Sequence, residues 1–315
     1  MRIAILGATS QIAKDLILTF SKQECHELVL FARRPEMVTQ WLSAAGLANQ
    51  YEVADFSAFS VDRHFDAILN FVGVGDPAQA AAMGASIFDV TLQYDDMALN
   101  YISRHTECRY IFLSSGAAYG SSFDAPVDEN TQAVIAINNL KSQDWYAVAK
   151  LYAECRHRSL TCLPIIDIRV FNYFSHTQDI SARFLITDMV RAIRDKIVLN
   201  TSADYIVRDF IHPSDFYNLV TALLTSQATN VVVDCYSKAP IDKPGLLTAL
   251  QEHFGLRYKI VKAATSINAT GSKPYYYSLN TRAADFGYVP QLTSLDGVVR
   301  ETTELLRQAR QAVKT

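Results

Sequence analysis

The chain has 315 residues, 50% of them hydrophobic, which is enough for one large domain or two modest domains around a sizeable core. Its formal net charge of -3 disfavours nucleic acid as the main partner, because phosphate backbones bind to basic surfaces. The opening apolar run, Ile3–Leu6, is too short for a signal peptide or a membrane span, so we expect a cytoplasmic protein without membrane contact. The cysteines are odd in number and lack metal-ligand spacing, which predicts buried or partly buried free thiols and no metal site. They are Cys25, Cys108, Cys155, Cys162 and Cys235.

Short apolar runs alternate with longer amphipathic stretches through the first part of the chain. The runs have strand length and are apolar on both faces, as strands covered by helices on both sides require. They are Ile3–Leu6, Leu28–Phe31, Ala67–Phe71, Tyr110–Leu113 and Pro164–Phe171. Helices are predicted between them at about 10–21, 35–45, 76–103 and 144–160. This alternation predicts an α/β fold with a doubly wound parallel sheet.

After residue 172 the alternation loosens. Further helices are predicted near 180–195, 213–225, 244–253 and 294–312, and extended segments at 197–199, 206–211, 230–235 and 258–261. We expect a cofactor domain over 1–172, to which 206–237 returns. The segments 173–205 and 238–315 would then form a smaller α/β region that binds the substrate.

A glycine ends the first predicted strand, and a helix is predicted to follow it. Gly7 permits a tight turn, and the free N–H groups of the helix would then face the diphosphate of a dinucleotide. The second and third glycines of the usual dinucleotide-binding fingerprint are replaced by Ser10 and Ala13. The prediction of a dinucleotide site therefore depends on the location of this loop, between the first strand and the first helix. The cofactor-binding candidates in this loop are Gly7, Thr9, Ser10, Gln11 and Ile12.

The end of the second strand indicates which dinucleotide is bound. Enzymes that use NAD place a carboxylate there for the adenosine ribose, whereas this chain continues with Arg33 and Arg34. A guanidinium group can bind two phosphate oxygens at once, so the two arginines favour the 2′-phosphate of NADP. NAD stays possible as the cofactor. The alternative interpretation of the two arginines is a solvated basic turn. Asp55, after the third strand, could bond the adenine amine, and its neighbour Phe56 is a further cofactor-binding candidate.

Tyr146 and Lys150 are four residues apart in a predicted helix and therefore share one face. A nearby ammonium favours the phenolate, so we expect Lys150 to lower the pKa of Tyr146 and to prepare it for proton exchange with an alcohol or ketone. The same spacing recurs at Tyr258 and Lys262, but in a predicted strand, where the two side chains would be about 13 Å apart. Ser115 follows the fifth strand, where doubly wound folds bind ligands, and could hold the substrate oxygen beside Tyr146.

These segments resemble the extended short-chain dehydrogenases, the NAD(P)-dependent sugar epimerase/dehydratase family. The similarity covers nearly the whole chain and comprises the phosphate loop, 114–120, Tyr146 with Lys150, 169–172 and 208–215. It implies a Rossmann domain with a smaller C-terminal substrate domain. It further implies a homodimer formed through the helices that flank the active-site segment.

The resemblance also implies roles for individual residues. Ser115 would be the catalytic hydroxyl, Tyr146 the acid and base, and Lys150 the group that holds the nicotinamide ribose. Asn172 and Arg208 would bind the diphosphate of a nucleotide sugar, with Phe210 near its base. The chain departs from the family pattern at 173–176, where Gly-Pro is usual, and at 272–273, where Ser-Lys stands in place of a second arginine.

The residues after Ser115 restrict the reaction. Dehydratases of this family carry Asp-Glu there, but Gly116 and Ala117 cannot transfer a proton, so we expect no 4,6-dehydration. Reduction of a keto-sugar and epimerisation both stay open. The expected use of NADP favours reduction, because an epimerase returns its hydride to the sugar. A non-catalytic NAD(P)-binding sensor is a third possibility, which the presence of both Tyr146 and Lys150 disfavours.

Overall fold

A computed structural model describes residues 1–23, 26–74, 80, 82–261 and 273–312. The strands in this part are β1 (Arg2–Leu6), β2 (Glu27–Phe31), β3 (Glu52–Ala54), β4 (Ala67–Asn70), β5 (Arg109–Ser115), β6 (Ile165–Val170), β7 (Asn172–Tyr173), β8 (Val198–Thr201), β9 (Val207–Arg208), β10 (Phe210–Ile211), β11 (Val231–Asp234), β12 (Ile241–Asp242), β13 (Arg257–Ile260) and β14 (Tyr275–Tyr276). The α-helices are α1 (Gln11–Gln23), α2 (Pro35–Ala44), α3 (Ser86–Arg104), α4 (Trp145–Ser159), α5 (Leu185–Arg194), α6 (Pro213–Thr225), α7 (Lys243–Phe254) and α8 (Ser294–Ala312).

Among the described residues, seven parallel strands form the central sheet in the order β11-β6-β5-β4-β1-β2-β3. The chain extends from β1 to β3 in one direction and from β4 to β11 in the other, so the order reverses between β1 and β4. Doubly wound folds bind ligands in the crevice outside the carboxyl ends of the strands at such a reversal. The predicted fold class is confirmed, and the crevice lies beside Gly7.

Side chains of β1 alternate between two cores, one on each face of the sheet. Ile3 and Ile5 pack in the core that includes α1 and α6, whereas Ala4 and Leu6 pack in the core that includes α3. Burial on both sides is the reason that the four positions Ile3–Leu6 are all apolar. A separate core is formed by α5, α7 and α8, together with Phe174 and Phe210.

Two predicted elements differ from the structure. The extended segment over 206–211 divides at Asp209, whose buried carboxylate accepts hydrogen bonds from Ser237 and Ser294. As a result, β9 joins β12 and β14, while β10 pairs with β7. Of the helix predicted over 76–103, residues 80 and 82–83 are helical, a turn follows at 84–85, and α3 begins at Ser86. Residues 75–79 and 81 lie outside the described part.

The cysteines in the described part are all free. Cys108 and Cys235 are buried as expected, but Cys155 and Cys162 are exposed, because they lie on the outer side of α4 and in the loop after it. Cys25 lies outside the described residues. No helix in the described ranges combines the length and the apolar character needed to cross a membrane.

The imidazole of His157, on α4, is fully buried between two carboxylates. Its Nδ1 lies 2.6 Å from Asp167 of β6, and its Nε2 lies 2.8 Å from Asp95 of α3. Although burial alone would lower it, the two carboxylates raise the pKa of His157 to about 9. The protonated imidazole therefore joins α4 to both a strand and a neighbouring helix.

We predict that, because of this imidazole, the free energy of unfolding decreases at alkaline pH. Because the folded pKa of His157 is raised above that of the unfolded chain, its contribution is complete below about pH 6.5 and is lost as the pH rises through about 9. The size of that contribution is on the order of 3 kcal/mol. Urea unfolding between pH 6 and pH 9.5 should show this decrease in the natural protein.

The variant His157→Gln should be less stable at pH 6 and should lose most of the alkaline decrease. His64, whose side chain is 74% exposed, provides the matched control His64→Gln, which should keep the full decrease. Identical pH profiles for the natural protein and His157→Gln would contradict a protonated His157.

Candidate active site

The loop after β1 passes tightly against the loop after β4. Gly7 has a φ of +82°, and a Cβ atom at this position would lie 2.9 Å from the backbone of both Phe71 and Val72. The N–H groups of Gly7 and Ala8 both donate to the carbonyl of Phe31, at 2.9 and 3.1 Å. The loop therefore stays close to the sheet and leads directly to the N-terminus of α1, which fits the diphosphate of a dinucleotide.

The other predicted residues of this loop lie at the start of α1. Thr9 is exposed, while Ser10 and Ile12 are half-buried. The side-chain amide of Gln11 donates to the hydroxyl of Ser175 at 2.8 Å. The loop is thereby tied to the segment that replaces the family's Gly-Pro.

The predicted adenosine-binding residues lie at the ends of β2 and β3. Arg33 and Arg34 are exposed after β2. The carboxylate of Asp55 accepts bonds from the backbone and the hydroxyl of Ser57, at 2.8 and 2.5 Å, and these bonds lower its pKa. The ring of Phe56 packs on Tyr94 with a centroid distance of 4.4 Å.

Ser115, Tyr146 and Lys150 come together at the carboxyl end of β5. Ser115 is the last residue of that strand, and Tyr146 and Lys150 occupy the first two turns of α4. The Nζ atom of Lys150 donates to the carbonyl of Leu113 at 2.7 Å, which places it beneath the strand end. The second copy of the spacing is different, since Tyr258 lies in β13 and Lys262 lies outside the described residues.

The expected effect of Lys150 on Tyr146 was wrong. Burial raises the pKa of Tyr146, and a hydrogen bond with Ser115, not the ammonium, opposes that shift. The Nζ atom is 6.0 Å from the ring centroid of Tyr146 but only 4.3 Å from that of Phe112. Burial lowers the pKa of Lys150 itself to about 8. The phenol of Tyr146 therefore carries its proton at neutral pH.

A third hydroxyl group, which sequence reasoning missed, lies beside Ser115. The Oη atom of Tyr276 is 3.3 Å from Ser115 Oγ, and its ring packs on Phe123 and Phe171 with centroid distances of 4.7 and 5.2 Å. Tyr276 belongs to β14, far along the chain from β5. The run of three tyrosines at 275–277 gave no sign of which one would reach the site.

Two of the predicted substrate-binding residues surround Tyr276. The amide of Asn172 donates to the backbone carbonyl of Tyr276 at 3.2 Å. The guanidinium of Arg208 donates to the carbonyl of Lys273 at 2.7 Å and lies 5.9 Å from the Tyr276 ring. Phe210, by contrast, is only 5% exposed and lies in the core formed by α5, α7 and α8. A contact with the base of a nucleotide would require its ring to leave that core.

A second cation lies beside Arg208. The ammonium of Lys273 is 4.6 Å from the ring centroid of Tyr276 and 5.2 Å from that of Phe123. Burial, with the nearby charge of Arg208, lowers the pKa of Lys273 to about 8. Its partner in the sequence motif, Ser272, lies outside the described residues.

The position directly after Ser115, Gly116, has no space for a side chain. A Cβ atom at Gly116 would overlap the ring of Phe171, and Ala117 is 4% exposed. An acidic pair at these two positions would therefore clash and be buried. That the chain does not catalyse dehydration stays a prediction.

Solved structures with the same fold include several sugar-nucleotide enzymes. UDP-glucuronic acid 4-epimerase from Bacillus cereus shares 15% identity with a TM-score of 0.75, over 98% of this chain and 100% of that chain. UDP-glucose-4-epimerase from Stenotrophomonas maltophila, with bound NAD, shares 16% identity with a TM-score of 0.78, over 99% of each chain. UDP-glucose 4-epimerase from Thermotoga maritima shares 15% identity with a TM-score of 0.77, over 98% of this chain and 99% of that chain.

At these identities the structural similarity establishes the fold alone. No curated protein sequence matches the chain significantly. The model of the NAD dependent epimerase/dehydratase family, however, matches residues 3–235, which include the phosphate loop, Ser115, Tyr146 and Lys150. The chain therefore belongs to the NAD dependent epimerase/dehydratase family, the extended short-chain dehydrogenases.

Proposed function

We propose that this protein is an NADP-dependent oxidoreductase that reduces the carbonyl of a nucleotide-linked keto-sugar. The observation that carries the proposal is the meeting of Ser115, Tyr146 and Lys150 at the carboxyl end of β5, beside the crevice between β1 and β4. Burial raises the pKa of Tyr146, so the phenol is protonated at neutral pH, which is the state in which it can act as a general acid.

The dinucleotide would lie across the β1 to β4 crevice. Its diphosphate would contact the loop of Gly7 and the N-terminus of α1, and Arg33 and Arg34 would bind a 2′-phosphate. Lys150 would hold the nicotinamide ribose. When bound, the nicotinamide supplies or accepts the hydride.

The chain's own residues would perform the proton chemistry. Ser115 would donate a hydrogen bond to the substrate oxygen as negative charge develops on it, and Tyr146 would then protonate that oxygen. Arg208 and Lys273, two cations on one aromatic ring, would attract the diphosphate of the nucleotide. The similar structures from Bacillus cereus and Thermotoga maritima hold UDP-glucuronic acid and UDP-glucose, which supports this substrate class.

Epimerisation is the second candidate function, and several of the similar structures are epimerases. It would use the same three residues, but the hydride would return to the sugar from the other face. The distinction is therefore measurable as net consumption of NADPH. A reductase oxidises one cofactor per sugar, whereas an epimerase interconverts sugar isomers without net consumption.

We predict that Tyr146→Phe lowers turnover by orders of magnitude while the cofactor still binds, because the proton donor is lost and the cofactor-binding loop is intact. The measurements are NADPH oxidation and isomer formation with a panel of nucleotide-linked keto-sugars and sugars, together with cofactor titration. Tyr152→Phe, which removes an exposed hydroxyl from the same helix, is the matched control and should retain full turnover. Near-normal turnover of Tyr146→Phe would rule out this mechanism, and cofactor binding without turnover on any sugar would favour a sensor protein.

We predict that Gly7→Ala weakens cofactor binding and destabilises the fold more than Gly46→Ala does. Both glycines have a positive φ, +82° and +77°, so both substitutions cost about 1–2 kcal/mol of backbone strain. Only at Gly7 does the new methyl group meet backbone atoms, at 2.9 Å, which adds about 1–3 kcal/mol. Urea unfolding and cofactor titration of both variants test this difference, and equal losses would show that the close approach of the two loops is unimportant.

We predict that replacing Arg33 and Arg34 together by serine weakens NADPH binding about 10- to 100-fold, because hydrogen bonds to a charged group contribute about 1.5–3 kcal/mol. Binding of NADH should change little. Arg104→Ser, at an exposed position at the end of α3, serves as the control. A cofactor preference for NADPH that survives the double replacement would remove the basis for assigning NADP to these arginines.

A further inference from the structure

The hydroxyl of Ser115 is surrounded by hydrogen-bonding groups on several sides. The backbone N–H of Ala117 donates to its Oγ atom at 3.2 Å, and Tyr276 Oη lies 3.3 Å away. Tyr146 forms the third neighbour, since a hydrogen bond with Ser115 opposes the rise that burial causes in the pKa of Tyr146. Three side-chain hydroxyl groups therefore meet at the end of β5.

The hydrogen-bonding capacity of serine determines what this arrangement can do. A serine hydroxyl has one proton to donate and two lone pairs that can accept. If Tyr276 donates to Ser115, the two lone pairs are occupied by Tyr276 and Ala117. The proton of Ser115 must then point to the remaining side, where Tyr146 and the substrate oxygen would be.

The surroundings of Tyr276 fix the position of its hydroxyl. Its ring is packed between Phe123 and Phe171, and its backbone carbonyl accepts the amide of Asn172. Burial raises the pKa of Tyr276, so its hydroxyl keeps a proton that it can donate to Ser115 Oγ, 3.3 Å away.

We propose that Tyr276 is a positioning residue for the reaction, which orients the Ser115 hydroxyl so that its proton faces the substrate oxygen. This inference rests on the proposed function, in which Ser115 stabilises that oxygen. A chain of donors from Tyr276 through Ser115 also polarises the second hydrogen bond, which strengthens it as charge develops on the substrate. Because Tyr276 comes from β14, the catalytic hydroxyl would be oriented only when the C-terminal region is folded against the sheet.

The kinetic test is a cycle of four proteins: the natural protein, Tyr276→Phe, Ser115→Ala and the double variant. We expect Tyr276→Phe to lower kcat about three- to tenfold, the effect of one lost hydrogen bond, with the sugar KM and the cofactor Kd within about twofold. In the Ser115→Ala background, Tyr276→Phe should cause no further loss, because the hydroxyl that it orients is absent. Tyr275→Phe makes the same change at the adjacent position, whose ring packs on Tyr205, and should leave kcat unchanged.

Two results would overturn the inference. One is a kcat of Tyr276→Phe equal to that of the natural protein. The other is that Tyr276→Phe lowers kcat by the same factor in the natural and the Ser115→Ala backgrounds, which would mean that Tyr276 acts independently of Ser115. Crystal structures of the natural protein and Tyr276→Phe give a readout that requires no sugar turnover. We expect the Ser115 side chain to leave its single rotamer in the variant, and an unchanged single rotamer would also overturn the proposal. If no sugar is turned over but the rotamer changes, the proposed function fails while the positioning of Ser115 by Tyr276 stands.

Discussion

Helix α4 is held on the sheet by three buried polar contacts that come from successive turns of one helical face. Lys150 binds the carbonyl of Leu113, Glu154 binds Arg169 of β6, and His157 binds Asp167 of the same strand. Residues at this spacing lie above one another on a helix, so the contacts form a line along the sheet. Tyr146 begins the same face one turn earlier. The position of the Tyr146 phenol therefore depends on charged groups that are buried further along the helix, and leaving any of those charges unpaired would be costly.

The rest of the site is completed by elements that are distant in the sequence. The sheet brings Gly7 and the end of β4 together at the reversal of strand order, and it brings Ser115 to the same edge. The C-terminal region then adds Tyr276 and Lys273 across that edge. The phosphate loop is itself tied to this region, because Gln11 binds Ser175 and Asp15 accepts bonds from Tyr173 and Thr177. The segment at 173–177, which includes the departure from the family pattern at 173–176, thus binds α1.

Sequence reasoning predicted the sheet well because most positions of its parallel strands are apolar, a pattern that Ile3–Leu6 shows clearly. It also placed Ser115, Tyr146 and Lys150 close together from strand ends and helix periodicity, while their catalytic roles stay predictions. It failed where a side chain selects its partner in three dimensions. Lys150 binds a carbonyl that no spacing rule connects to it, and the apolar ring of Phe210 suits a core as well as a ligand. The contact of Tyr276 with Ser115 could not be predicted from the sequence, because only tertiary packing distinguishes Tyr276 from its two tyrosine neighbours.

The lack of space beside Gly116 has a consequence for how this chain could change its chemistry over time. An acidic side chain at that position requires Phe171 to become smaller first, because the ring occupies the place of the new Cβ atom. Phe171 also packs on Tyr276 and Tyr119, so a smaller residue there would loosen the groups around Ser115 before any benefit appeared. A single replacement at Gly116 would therefore disturb the packing around Ser115 unless Phe171 changes with it. The aromatic packing constrains position 116 independently of the chemistry that an acidic residue there would supply.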